Sequence, residues 1–128
     1  MINKVAYWLE LSDYDYETAV AMQTSQRNLY VGFMCHQCIE KIVKAYFAKH
    51  NDSPAPYSHS LSYLARKANL TEFLSETQKD FIDLLEPLNI EARYPSHKEQ
   101  LLKSLTKTRC KEILLNTKNL QEWIKEKL

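Results

Sequence analysis

Glycine is almost missing: the 128 residues contain one, Gly32. That excludes glycine-rich phosphate loops and dinucleotide-binding fingerprints, whose backbones need several. It also argues against a fold built on tight hairpins, which favour Gly or Asn-Gly turns. An excess of one charge is missing too. Lys plus Arg number 17 and Asp plus Glu 16, a formal net charge of +1. Bulk charge therefore does not recruit nucleic acid, and any phosphate contact must come from a local patch. No apolar run exceeds a few residues, so no transmembrane helix is expected. The start, Met1-Ile2-Asn3-Lys4-Val5, lacks the sections of a signal peptide, and the expectation is a cytoplasmic protein.

Cysteine is scarce and odd in number: Cys35, Cys38 and Cys110. With no export signal, this fits a reducing compartment. Cys35-His36-Gln37-Cys38 has CxxC spacing. A redox pair expects a βαβ setting, and a zinc site expects a second pair or two close histidines. Neither is present, so the two cysteines read as small buried residues of a core helix. No metal and no cofactor are expected.

What is present points to one all-α domain over residues 1–128. Hydrophobic residues make up 45% of the chain, too many for a disordered tail. A chain of this size buries about two thirds of its surface, enough for one core without staples. Apolar residues recur at helical spacing, and no useful stretch alternates with period two. The spacing predicts a first helix over about 3–26, with an inward stripe of Val5, Trp8, Leu9, Ser12, Tyr16, Ala19 and Val20. Asp13, Asp15 and Glu17 read as its solvated side. A second helix spans about 28–50. Its apolar face is wide enough for the central helix of a bundle. His36 reads as a satisfied histidine at the core edge. The proline-bearing stretch 51–58 is a loop. A short helix follows over about 60–68, opened by His59. Thr71 reads as an N-cap or near-cap of the next helix, which Pro87 should end or kink near Leu85. The last helix is expected over about 98–127, with Leu102, Leu105, Ile113, Leu120 and Ile124 inward. Together these make an up-and-down antiparallel bundle of four long helices plus a short one.

Four stretches in order along the chain carry a resemblance. The first helix reads Ala6-Tyr7-Trp8-Leu9-Glu10-Leu11-Ser12-Asp13-Tyr14-Asp15. The second reads His36-Gln37-Cys38-Ile39-Glu40-Lys41-Ile42-Val43-Lys44-Ala45. Pro54, Pro56 and His59-Ser60-Leu61 follow, then Ala92-Arg93-Tyr94-Pro95. This ordered set resembles the HEPN domain family of small helical prokaryotic proteins. The resemblance implies a homodimer that pairs with a minimal nucleotidyltransferase in a toxin–antitoxin-like module and binds nucleotide or RNA. Other members of the family are metal-independent ribonucleases. In those, an Arg holds the scissile phosphate, and a His with four to six residues between takes a proton from the ribose 2′-hydroxyl. A neutral imidazole and a planar guanidinium suit those tasks.

By that resemblance the candidate catalytic residues are Arg93 and His97. Only three residues separate them, and Tyr94 stands where a small polar residue is usual. With Pro95 opening the last helix, both could still address one phosphate near its positive end. The alternative is an arginine tying an irregular segment to carboxylates and a solvated helix-start histidine. The candidate nucleotide- or RNA-binding residues are Glu40, Lys41, Lys44, His59 and Tyr94. Against this, Glu40 and Lys44 have the spacing of an ordinary ion-pair ladder on a helix face, though Glu40 borders the broad apolar stripe and a partly buried pair with Arg93 would explain both residues structurally. His59 reads as a packing or capping residue. Tyr7, Tyr14, Tyr16 and Tyr30 could stack bases, though aromatics at this spacing more often pack in a core or interface. Lys103, Lys107 and Lys111 form a basic row, with Arg109 and Lys118 near it, suited to a nucleic-acid backbone or simply to solvent.

Overall fold

A computed structural model describes the backbone of residues 3–90 and 95–128. Its helices are α1 (Lys4–Thr24), α2 (Asn28–His50), α3 (Leu61–Lys67), α4 (Glu76–Ile90), α5 (Pro95–Ser104) and α6 (Lys107–Lys125). A 3₁₀ turn, Thr71–Phe73, precedes α4, and no strand occurs among the described residues. The architecture is the expected all-α bundle.

Helix α2 is its axis. From Cys35 to Phe47 every residue but Gln37 and Lys41 is buried. A helix covered on all sides must be wrapped by others, and α1, α3, α4, α5 and α6 all pack against it. Cys35 and Cys38 lie in this core as free thiols, and burial pushes each up to about 12, so neither is a ready nucleophile.

Local chemistry explains most of the helix boundaries. Asn3 caps α1 by accepting from the Ala6 N–H at 3.1 Å. The near-absence of glycine does not prevent helix termination. Both α1 and α3 end in Schellman motifs whose left-handed position is taken by Gln26 (φ 60°) and Asn69 (φ 59°). The paired bonds are Arg27 N to Met22 O with Gln26 N to Gln23 O, and Leu70 N to Ala65 O with Asn69 N to Arg66 O. At the start of α3, Ser60 accepts from Tyr63 N, and Glu86 of α4 accepts from the Leu61 and Ser62 N–H groups. A carboxylate there meets the positive helix end.

Seven sequence expectations are corrected. Thr71 opens the 3₁₀ turn rather than α4; the cap is Ser75, which accepts from Gln78 N at 3.1 Å while Gln78 Oε1 accepts from Ser75 N at 2.9 Å. That is a reciprocal capping box. Pro87 does not end α4, which continues to Ile90. Leu88 and Asn89 are buried against α2, and that packing outweighs the lost N–H. The last helix is two helices, because Thr106 caps a new one through Arg109 N at 3.1 Å and Asn28 Nδ2 holds the Leu105 carbonyl at 2.9 Å. The break turns Leu101 and Leu105 inward and leaves Leu102 exposed. It also removes Lys103 from the row formed by Lys107 and Lys111. Finally, Val20 is exposed, whereas Asp15, expected in solvent, is buried on the inward stripe.

Candidate functional site

The polar residues of α2 form a column between α1, α3 and α4. Glu40 is 1% exposed and sits at its centre. Its Oε2 accepts from Lys44 Nζ at 3.1 Å, and its Oε1 lies 3.0 Å from His59 Nδ1. The expected surface ladder is therefore a buried ion pair. The Lys44 ammonium also stands 5.1 Å from the centre of the Trp8 ring, which covers it from α1. His59 does not cap α3, the role Ser60 takes. It reaches down onto Glu40 while half its side chain stays in solvent. Lys41, one position further along α2, donates to Asp15 at 3.1 Å and to Gln37 at 3.0 Å.

At the next turn towards the N-terminus of α2, His36 is wholly buried rather than at the core edge. Its Nδ1 lies 4.0 Å from Glu40 and 3.4 Å from Gln37 Nε2. Its Nε2 has no partner among the described residues. Burial pushes the imidazole down to about 4, despite the opposing pull of Glu40. It is a neutral histidine at physiological pH. Gln37 then donates to Asn89 at 2.9 Å, joining the column to the last turn of α4.

Of the candidate binding residues, Glu40, Lys44 and His59 are in direct contact, and Lys41 lies beside them on α2. Arg93 and Tyr94 lie outside the described residues. His97 falls in the first turn of α5, which opens at Pro95 as the sequence suggested. Asn89 is four positions before Arg93 in the chain, so the column leads to the segment that carries it. Asp15, Gln37, Asn89 and Trp8 complete the site without having been singled out for it. Asp15 left a trace: it falls in register with Ser12 and Ala19, both fully buried on α1. Asn89 left none, because its burial depends on α4 continuing past Pro87.

A second network lies on the other side of α1. Ser12 donates to the Cys38 carbonyl at 2.8 Å, and Gln121 Nε2 reaches both Ser12 Oγ and Asp13 Oδ1 at 3.0 Å. Lys125 closes it on Asp13 at 2.6 Å. This network ties α6 to α1. Tyr7, Tyr14 and Tyr30 are exposed, while Tyr16 is bonded to the Leu114 carbonyl. Lys118 is engaged with Gln121 and Glu122. Among the described residues, no cluster of His, Cys, Asp and Glu could hold a metal, and no helix is long and apolar enough to cross a membrane.

The same arrangement of helices occurs in the crystal structure of TT1696 from Thermus thermophilus. The two align with a TM-score of 0.84 over 99% of this chain and 100% of that one, at 18% sequence identity. That likeness speaks for the fold alone. No curated protein matches the sequence. The HEPN domain profile matches residues 5–128, almost the whole chain, and so the chain belongs to the HEPN domain family.

Proposed function

We propose that the protein binds nucleotide or RNA as the non-catalytic half of a two-protein module, paired with a minimal nucleotidyltransferase. In this reading it is a cytoplasmic homodimer, and the module is toxin–antitoxin-like. The observation that carries the binding reading is the buried column and its direction. A network this costly to bury is justified when it fixes groups that must stay in place. The column brings charged and hydrogen-bonding groups to the last turn of α4, where Asn89 stands four positions before Arg93 in the chain. Glu40 and Lys44 act as the positioning pair. Lys41, held by Asp15 and Gln37, belongs with them, and His59, with half its side chain in solvent, meets the ligand together with Arg93 and Tyr94. Arg93 takes a phosphate oxygen pair, for which guanidinium is suited.

A second reading is a metal-independent endoribonuclease. It rests on His97 falling in the first turn of α5, where the helix end favours a phosphate. Arg93 would hold that phosphate and His97 would take the 2′-hydroxyl proton. Binding is favoured because only three residues separate the pair. The test is incubation of the purified protein with a mixed RNA pool in chelator, beside His97→Ala. The binding reading predicts retained RNA of unchanged length. Cleavage by the wild type alone, leaving 2′,3′-cyclic phosphate ends, would establish the nuclease instead.

A further inference from the structure

We propose that the groove between α4 and α6 is a nucleobase pocket, taking one heterocyclic ring from a nucleotide or from single-stranded RNA. The proposal rests on the nucleotide-binding reading for its ligand class only. The groove lies on α4 and α6, away from the column of α2.

Both helices pack on α2 and leave a cavity of about 460 Å³ between them, which is small-ligand size. Its walls combine two aromatic rings with aliphatic side chains: Phe81 and Leu84 from α4, Leu120 and Trp123 from α6. Leu120 is buried and the other three are partly open to solvent. Flat apolar surfaces of this kind accept a stacked ring whatever its sequence identity.

The rim determines the chemistry. Asp80, Asn116 and Asn119 stand there exposed, and no hydrogen bond or ion pair among the described residues occupies them. Amides read the donor–acceptor edge of a base, and a carboxylate accepts from an exocyclic amine. No lysine or arginine lines the groove among the described residues, so it is built for a neutral ring rather than for a phosphate. A cation borders it: the Lys127 ammonium stands 4.5 Å from the centre of the Trp123 ring and 5.3 Å from that of Phe73. That is where the phosphate of a bound nucleotide would find a partner.

The test is a titration followed by heteronuclear NMR. The chain has two tryptophans, Trp8 in the column and Trp123 in the groove. Added adenosine or cytidine should shift the Trp123 indole N–H signal saturably and leave that of Trp8 in place. The shift should be insensitive to salt for the nucleoside and salt-dependent for AMP and for a short unstructured RNA. The paired exposed substitutions Asn116→Leu and Asn119→Leu should weaken binding about tenfold at an unchanged melting temperature. Three results would overturn the pocket while leaving the function reading intact, provided that RNA still binds. They are an unmoved Trp123 signal, a shift indifferent to both substitutions, or a Trp123 signal that follows protein concentration alone, which would show a second copy in the groove. Failure of nucleosides and RNA alike would remove both.

Discussion

The two sides of α2 handle polar groups in opposite ways. Along the column, Glu40, Lys44, Lys41 and Asp15 are withdrawn from water and committed to one another. Along the α4–α6 groove, Asp80, Asn116 and Asn119 stay in water beside partly exposed aromatic rings. The first arrangement gains little net stability, because desolvation offsets the Coulomb attraction, yet it is costly to break. The second costs the fold nothing and leaves its groups available. A polar residue inside a bundle is therefore not a ligand contact by default. Whether its bonds are already taken separates holding groups from binding groups.

The largest effect expected from this contrast comes at Glu40. Glu40→Ala leaves the Lys44 ammonium buried and unpaired, and should cost about 3–5 kcal/mol in urea unfolding. A cost below about 1 kcal/mol would mean that water already reaches the cluster.

His36 sharpens the contrast through pH. The unfolded chain binds this proton below its ordinary value of 6.5, the folded chain only below about 4. Between the two the unfolded state holds more protons, so stability rises with pH across that window. The slope approaches about 1.4 kcal/mol per pH unit. His59 and Glu40 face the same cluster, so the measurement is the difference from His36→Gln. That variant should flatten the profile between pH 4 and 6.5. An unchanged slope would place the linked proton elsewhere.

Gly32 tests how the groove side is set. A Cβ at this position would come within 3.0 Å of Leu88 Cδ1 and 3.5 Å of Leu105 Cδ1. Gly32→Val should therefore push α4 outward and cost about 2 kcal/mol. Equal or greater stability would show that Leu88 yields freely. The smallest effect belongs to Lys118, whose pair with Glu122 is largely in solvent. Lys118→Ala should change stability by less than about 0.5 kcal/mol. A loss comparable to that at Glu40 would erase the distinction between buried and exposed pairs.

Much of this molecule can be read from its residues. Helical periodicity locates α1, α2 and the proline loop, and the width of the α2 stripe marks the axis. Ordered motifs identify the family. The sequence hides what depends on tertiary packing. Pro87 looks like a stop because its cost is local, whereas the burial of Leu88 and Asn89 that offsets it is not. Glu40 and Lys44 look like a surface pair because their spacing is the same in water and in a core. Thr106 is a visible capping residue, but only the hold of Asn28 on Leu105 makes the chain break there. The groove has no linear signature, since its walls come from two helices well separated along the chain.

The most direct test measures RNA affinity and the urea midpoint on the same two variants, Lys44→Ala from the column and Arg93→Ala from the segment beyond it. The division between holding and binding groups predicts that Lys44→Ala lowers the midpoint by about 1 M or more. While folded, that variant should lose RNA affinity by no more than about threefold, through looser positioning of the groups that meet the ligand. Arg93→Ala should leave the midpoint in place and weaken RNA binding about tenfold or more. The reverse pattern, with affinity lost at Lys44 and stability lost at Arg93, would contradict it.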